Sequence, residues 1–335
     1  MSVANTKERM MIKSELKGFM ESVIAELESE GRYSTAHVYR CALKAALAYE
    51  GDGLCLENIT PAWLSAYQEH LRTNRQLLMN TVSTYMRMLR AVYNRAVDAG
   101  LAPFVPHLFR CVFTGRQKNH RRALEGKDMR KLLAEEPEEP ATAESAPATE
   151  PEVSASPSVR HDLRWARACL ELMLRFHGLS FVDLAHLRKS DLRDGHLYVC
   201  RQKTGVPLCI TVSPEALALL RRYAHPDPGS PYLLDILDGH LSGKVAYTDY
   251  CCMLRLLNLR LSQLSRKRKL GQRVSSYCAR HTWATAAKYC GVPVEIISEA
   301  LGHSSIAVTE GYLKQFDWDV IDKADRVTMR YIFGK

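Results

Sequence analysis

The sequence predicts a mainly α-helical protein that carries one small β-hairpin, and three observations support this prediction. Apolar residues recur at helical spacing through most of residues 12–110 and again over 246–264. The stretch HLYVCRQKTGVPLCITV at 196–212 alternates instead, with a turn at Lys203-Thr204-Gly205. At 335 residues, the chain is long enough for two domains that each bury a core.

Local signals place three helices before residue 110. The first is predicted to start at Ser34-Thr35, and the second opens at Thr60-Pro61, with proline at its first position. The third follows Asn80-Thr81 and ends at Gly100, a residue type that commonly terminates helices. These helices form a small N-terminal helical domain in the prediction.

Basic residues share faces of these helices. Arg40 and Lys44 lie four residues apart on the first helix, and Arg87 and Arg90 lie opposite the apolar stripe of the third. A helix laid against DNA would show this pattern, and so would an ordinary solvated basic face. The charge pattern alone favours the solvated face, and the four residues become candidate DNA contacts only through the resemblance that the C-terminal motifs carry.

Charge favours a polyanionic partner. The chain has a formal net charge of +9 and a pI near 9.0. Between residues 135 and 158, seven Glu occur without any Lys or Arg, in a Pro- and Ala-rich segment predicted to be disordered. Before it, GRQKNHRR forms a basic connector, and its candidate phosphate contacts are Arg116, Lys118, Arg121 and Arg122.

The remaining composition excludes several classes of protein. No apolar run approaches the ~20 residues of a membrane span, and MSVANTKERMMIK lacks the apolar core of a signal peptide. The ten cysteines show neither CxxC nor paired metal-ligand spacing, so we expect reduced, mostly buried thiols and no metal site. A cytoplasmic protein without a membrane partner is predicted.

The most specific pattern lies between Ser275 and Tyr312. It contains Arg280-His281-Thr282, then Leu301-Gly302-His303-Ser304-Ser305, then Tyr312; His303 follows Arg280 by 23 residues, and Tyr312 follows His303 by nine. Each residue type alone is usually structural. Together at this spacing they form a rare combination, and their side-chain chemistry would suit a reaction at a phosphodiester.

The three residue types divide the work of such a reaction. An arginine such as Arg280 can give two parallel hydrogen bonds to a phosphate and neutralise it. A histidine such as His303 can donate to the same oxygens or move a proton. Tyr312 can attack phosphorus, although a phenol with a pKa of about 10 is a weak nucleophile until it is activated.

This block resembles the C-terminal motifs of the tyrosine recombinase, or phage integrase, family. The resemblance covers about residues 12–320, because STAHVYR and NTVSTYMRMLRAVYNRAV are similar to that family's N-terminal pattern. It implies a helical SAM-like core-binding domain at 1–112, a connector at 113–124, and a catalytic domain at 125–335 that contains the acidic insertion.

The resemblance also implies an activity. Family members cut DNA through a 3′-phosphotyrosine and exchange strands through a Holliday junction, without a cofactor because the phosphotyrosine retains the bond energy. The implied partners are double-stranded DNA and further copies of the chain, as dimers and tetramers on DNA that the C-terminal helix joins. A DNA-bending accessory protein is a further candidate partner, and a bacterial, nucleoid-associated location is implied.

Two positions depart from the family pattern. Ser180 stands where the first catalytic arginine is usual, and Tyr277 stands where histidine is usual. Strand alternation puts Arg201 on one face of the hairpin with Lys203, which matches the family's general-acid lysine. Arg201 is therefore a candidate substitute; Arg175, or no replacement at all, are the alternatives.

These departures leave three functions to compare. The primary prediction is an integrase or invertase that acts at specific sites. A relaxing topoisomerase with the same chemistry is an alternative within DNA enzymology. A DNA-binding accessory protein that retains the fold but cuts poorly is the alternative from another class, and cleavage of a suicide DNA substrate separates it from the enzymes.

Overall fold

The computed structural model describes residues 15–117, 123–134, 161–310, 313 and 318–333. The chain divides into two compact units, with the division between residues 119 and 120. The acidic segment at 135–158 and the connector residues 118–122 lie outside the described residues. The prediction of a mainly helical protein is confirmed.

In the part that the structure describes, residues 15–117, the first unit contains four α-helices and two short 3₁₀ turns. The turns are Leu56–Asn58 and Leu108–Cys111. The helices are α1 (Leu16–Ser29), α2 (Tyr33–Glu50), α3 (Pro61–Thr73) and α4 (Met79–Asp98).

Capping residues explain where two of these helices begin or end. Thr60 caps α3, because its hydroxyl accepts a hydrogen bond from the amide of Trp63 at 3.2 Å, and Pro61 is the first helical residue. Gly100, at φ +70°, follows the end of α4. Both of these boundaries agree with the prediction.

Two predicted helix starts are wrong by one to three residues. Helix α2 begins at Tyr33, so Ser34 and Thr35 lie within its first turn and do not cap it. Helix α4 begins at Met79, with extended Leu78 before it. In both cases the residue before the helix gives no side-chain cap, so the sequence carried no local signal for the true boundary.

The core of the first unit is aromatic at its centre. Tyr67 of α3 is fully buried, and its ring stacks on that of Trp63 with centroids 4.9 Å apart. Met86, Leu89 and Val92 of α4 are buried at helical spacing. This spacing leaves the opposite face of α4 to its basic residues.

The second unit contains further helices and a three-stranded sheet. A 3₁₀ turn, Lys189–Asp191, precedes the sheet. The strands are β1 (Leu192–Arg193), β2 (His196–Cys200) and β3 (Pro207–Thr211). The helices are α5 (Gly126–Leu133), α6 (Leu163–Arg175), α7 (Phe181–Ala185), α8 (Pro214–Arg222), α9 (Gly243–Lys267), α10 (Tyr277–Tyr289), α11 (Val294–Ala300), α12 (Ile306–Glu310) and α13 (Trp318–Phe333).

The sheet contains the predicted hairpin and one additional strand. It is antiparallel in the order β1-β2-β3, and Cys200 pairs with Pro207 next to the turn. Leu197 and Val199 of β2 are buried, and Arg201 continues their face beyond the strand end, as alternation predicted. Strand β1 was not predicted, since two residues are too few to show a period.

The core of the second unit is built around α6. Trp165, Leu170 and Met173 of this helix are almost completely buried, and α9 and α10 pack against it. The ten cysteines are free thiols, and only Cys169 and Cys278 are buried, so the expectation of mostly buried thiols is wrong. Within the ranges described above, no helix combines the length and the apolar character needed to cross a bilayer.

Candidate active site

Two arginines from different elements meet at one backbone oxygen. Arg280 of α10 donates through Nη2 to the carbonyl oxygen of Leu301, and Arg201 at the hairpin donates through Nη1 to the same oxygen. Both arginines are buried, with exposed fractions of 3% and 6%. The shared oxygen therefore holds two guanidinium groups side by side.

A strained turn after α6 holds Arg280 from the other side. His177 and Gly178 have φ values of +54° and +68°, and Nη1 of Arg280 donates to the carbonyl oxygen of Gly178 at 3.1 Å. A Cβ atom at position 178 would lie 3.0 Å from Cα of Arg280. Glycine is therefore required here by conformation and by space.

Arg201 is balanced by a buried carboxylate. Its Nε atom lies 2.8 Å from Oδ2 of Asp183, whose side chain is fully buried, although the pair is not aligned as a hydrogen bond. The hydroxyl of Ser180 donates to the same carboxylate, and the main-chain N–H of Gln202 donates to Oδ1 of Asp183 at 2.8 Å. Ser180 and Asp183 thus support the guanidinium that the hairpin supplies.

The end of α11 places His303 beside these arginines. Gly302 has φ +62°. Its main-chain N–H donates to the carbonyl oxygen of Glu299, and the main-chain N–H of His303 donates to the carbonyl oxygen of Ser298. This is a Schellman motif, in which glycine at the first position after the helix allows the chain to turn. The order Leu-Gly-His therefore fixes where the imidazole lies.

The imidazole of His303 is held neutral. Burial and the nearby charges of Arg280, Arg201 and Lys203 lower the pKa of His303 from 6.5 to about 4. Its Nδ1 atom lies 2.8 Å from the hydroxyl of Thr309. His303 therefore faces the site as a neutral group at physiological pH.

The hairpin turn reaches the same loop. Thr204 donates through its hydroxyl to the carbonyl oxygen of Gly302 at 3.4 Å, and a Cβ atom at Gly302 would lie 3.1 Å from Cγ of Arg201. Lys203 is exposed on this turn, and its charge acts on His303. The structure therefore brings Arg201, Lys203, Arg280 and His303 together.

Tyr277 opens α10 and stands one turn before His281. It is 38% exposed, and the two rings are 5.3 Å apart between centroids. Thr282 on the same helix is buried, and its hydroxyl accepts from the amide of Leu124 at 2.9 Å. Tyr277 is therefore accessible from solvent, whereas Thr282 has a structural role.

Arg175 lies in a different network. It pairs with Glu171 at 2.9 Å and with Glu215 at 3.1 Å, and it donates to Ser213. None of these partners is among the groups described above around Arg201 and Arg280. The predicted nucleophile Tyr312 lies outside the described residues, so its position remains a prediction.

The basic residues of the first unit differ in how freely they are presented. Arg40 forms an ion pair with Glu28 at 2.5 Å, and Arg87 donates to Thr84 at 3.2 Å. Lys44, Arg90 and Arg116 are exposed, whereas Lys118, Arg121 and Arg122 lie outside the described residues. Among the described candidates, Arg40 and Arg87 thus have side-chain partners within the first unit.

Arg90 also lines a groove of about 620 Å³ within the first unit. His107 and Arg110 line the same groove, and both are exposed. They belong to the turn that follows the third predicted helix. The helical patterns did not point to them, because a short irregular segment has no period.

Residues 15–108 match the phage integrase SAM-like domain, and residues 154–317 match the phage integrase family. The chain belongs to the tyrosine recombinase family. Members of this family are enzymes that cleave and rejoin DNA strands. The predicted resemblance is confirmed in both units of this recombinase.

Curated relatives agree with this assignment. Tyrosine recombinase XerC of Xanthomonas campestris, strain B100, is 27% identical over 273 residues, covering 72% of this chain and 81% of the relative. The XerC proteins of two further X. campestris strains match equally well.

Solved structures share the fold of this recombinase. A lambda integrase (75–356) dimer bound to a COC′ core site has a TM-score of 0.61 at 19% identity, covering 90% of this chain and 98% of that chain. The Tn1549 transposon integrase bound to a circular intermediate DNA has a TM-score of 0.58 at 14% identity, covering 92% and 99%. At these identities the likeness shows the fold.

Two groups of the recombinase site were not predicted. Asp183 was passed over, since a single acidic residue on a short helix carries no pattern. The carbonyl oxygen of Leu301 could not be found from residue types, because every residue has one. Only the folded chain shows that both arginines use it.

Proposed function

We propose that this chain is a site-specific tyrosine recombinase that cleaves DNA with Tyr312 and exchanges strands through a Holliday junction. The observation that carries the proposal is the convergence of Arg201 and Arg280 on Leu301, with neutral His303 and Lys203 beside them. This arrangement offers two guanidinium forks and further donors to one phosphate.

The proposed reaction is an in-line displacement. The phenol oxygen of Tyr312 forms a bond to phosphorus, and the bond from phosphorus to the 5′ oxygen breaks. The phenol proton passes to solvent water, and Lys203 gives a proton to the departing oxygen, which becomes a free 5′-OH. The phosphate stays on the 3′ end as a phosphotyrosine, so the reverse reaction needs no ATP.

Arg201 takes the part of the missing first arginine in this proposal. It lies on the hairpin turn beside Arg280, whereas the guanidinium of Arg175 is used by Glu171 and Glu215. Ser180, which occupies the family's usual arginine position, binds the carboxylate that faces Arg201. The phosphate would thus still be bound by two guanidinium groups, one of which comes from a different element. We call Arg201 and Arg280 the arginine clamp.

Tyr277 would donate its phenol O–H to a phosphate oxygen. It is exposed at the start of α10, three residues before Arg280. A phenol donates well but is a far weaker base than imidazole near neutral pH. We therefore propose slower activation of Tyr312 than in relatives that have histidine at this position.

Affinity for DNA would come from basic side chains in both the N-terminal domain and the connector. We assign residues 1–112 to core binding, 113–124 to the connector and 125–335 to catalysis. Each phosphate contact adds affinity that is blind to sequence and sensitive to salt. The proposed contacts are Arg40, Lys44, Arg87, Arg90, Arg116, Lys118, Arg121 and Arg122.

Self-association on DNA would use α13. Trp318, Val327, Tyr331 and Phe333 of this helix are exposed by 67% or more, which is a large apolar surface for one helix. A solved lambda integrase tetramer is bound to a Holliday junction. We propose the same assembly here, acting on bacterial DNA in the cytoplasm, with a DNA-bending protein as a further partner.

Covalent trapping tests the proposal. A library of nicked half-sites would be incubated with the wild-type chain, with Tyr312→Phe and with Tyr331→Phe, a control phenol on α13. An adduct in wild type and Tyr331→Phe that is absent in Tyr312→Phe, with DNA binding retained, supports the proposal. Tight binding without any wild-type adduct would instead make the chain an accessory DNA-binding protein.

A further inference from the structure

A buried threonine lies within hydrogen-bond distance of His303. Thr309 of α12 is completely buried, and its Oγ1 atom lies 2.8 Å from Nδ1 of His303. Thr309 comes three residues before Tyr312 and six after His303. One hydrogen bond therefore links the imidazole to the helix that leads to the proposed nucleophile.

The direction of this hydrogen bond can be assigned from the needs of the threonine. A buried hydroxyl proton requires an acceptor. Within the described part of the chain, the hydrogen bond of Thr309 is the one to His303. The hydroxyl therefore donates, and Nδ1 of His303 accepts with its lone pair.

The charges around the imidazole leave it one proton. Arg280, Arg201 and Lys203 all oppose a positive charge on His303. A neutral imidazole has one N–H group, and the nitrogen that carries it is set by the bond the other nitrogen makes. With Nδ1 accepting, the proton lies on Nε2.

We propose that Thr309 is a positioning residue that fixes His303 in the tautomer protonated at Nε2. His303 then presents an N–H donor to the site rather than a proton acceptor. This inference rests on the proposed function, because the donor is useful when a phosphate binds between Arg201 and Arg280. His303 would then stabilise the negative charge that develops on the non-bridging oxygens of the phosphate.

A purely structural threonine predicts different results. Such a residue would only hold α12 against its neighbours, and the tautomer of His303 would not depend on its hydroxyl. Valine has nearly the shape of threonine but cannot donate, and serine retains the hydroxyl. Thr309→Val and Thr309→Ser therefore separate packing from tautomer control.

The test is long-range ¹H–¹⁵N NMR of the imidazoles in the DNA-free full chain at pH 7. Comparison with His303→Asn assigns the signals of His303. The proposal expects a protonated Nε2 and an unprotonated Nδ1 in wild type and in Thr309→Ser. In Thr309→Val we expect the two nitrogen shifts to move toward each other, as the tautomers mix. Protonated Nδ1 in wild type, or an unchanged pattern in Thr309→Val, overturns it.

A second measurement uses adduct formation on a nicked half-site. We expect Thr309→Val to slow the adduct about 10-fold to 100-fold at unchanged DNA affinity, with Thr309→Ser within about threefold of wild type. Equal slowing in both variants would mean packing alone and would overturn the inference. Because the tautomer is measured without DNA, it stands or falls separately from the recombinase activity.

Discussion

Arg201 and Arg280 donate to the same carbonyl oxygen, that of Leu301, although 79 residues separate them in the chain. This shared acceptor sets the two guanidinium groups side by side. It also makes the hairpin and α10 depend on the end of α11.

Arg201→Ala should slow adduct formation by about 10³-fold, the order of effect of losing a guanidinium that stabilises a phosphoryl transition state. Arg201→Lys should fall between Arg201→Ala and wild type, since it keeps the charge but loses the fork. Single-turnover trapping on a suicide substrate measures both. Arg175→Ala is the control and should react at the wild-type rate. A normal adduct from Arg201→Ala would remove Arg201 from the clamp.

Asp183→Asn should destabilise the chain by about 3–5 kcal/mol, because it leaves the buried charge of Arg201 without its counterion. Ser180→Ala removes one hydrogen bond to the same carboxylate and should cost only about 1 kcal/mol. Urea unfolding followed by circular dichroism gives both free energies. If the two variants unfold alike, Asp183 is not the partner that matters to Arg201.

Gly302→Ala should reduce cleavage by more than its effect on stability explains. The new Cβ atom would meet Cγ of Arg201 at 3.1 Å and would also be strained at φ +62°. Gly291→Ala is a matched control, since Gly291 also follows a helix, at φ +81°, but has open space around it.

We expect each glycine variant to lower the free energy of unfolding by about 1 kcal/mol or more, and hence to unfold at a lower urea concentration. Only Gly302→Ala should lose most of its adduct formation in the trapping assay. Equal activities at equal stabilities would show that Arg201 tolerates the displacement.

The protonation midpoint of His303 should lie near pH 4 in the DNA-free protein. Because the pKa is lowered on folding, the unfolded chain takes up this proton at a higher pH than the native chain does. Stability should therefore fall as the pH drops from about 6.5 toward 4. An NMR titration gives the midpoint, and Arg201→Ala should raise it by removing a nearby cation. A wild-type midpoint near 6.5 would contradict this account.

Substituting exposed apolar residues of α13 should separate cleavage from assembly. Val327→Asp with Tyr331→Asp should abolish tetramers on paired sites, while half-site cleavage by single protomers continues. Analytical ultracentrifugation with DNA gives the assembly state. Lys323→Ala with Asp325→Ala on the same helix is the control and should assemble normally. Intact tetramers in the Asp variant would place the contact elsewhere.

The sequence predicted those parts of the fold that rest on short-range signals. Thr60-Pro61 marked a helix start correctly because its cap is formed within four residues. Alternation correctly placed Arg201 on the same face of the hairpin as Leu197 and Val199, whereas Lys203, assigned to that face too, is exposed. The starts of α2 and α4 were missed, because no capping side chain marks them.

The site was only partly predictable for a related reason. Arg280, His303 and Lys203 could be named from motifs. The ion pair between Arg201 and Asp183 could not, because the two residues belong to separate elements that meet only in the folded chain. The left-handed backbone at His177, which precedes Gly178, likewise had no signature in residue type. Tertiary contacts, rather than local pattern, decide these features.

The acceptor shared by the two arginines is a main-chain atom, and this has a consequence for substitutions. Substitution of the Leu301 side chain does not remove the oxygen, so the oxygen persists through changes in sequence as long as α11 ends where it does. The place where the two guanidinium groups meet is therefore set by the backbone at the end of α11 and not by the side chain at position 301.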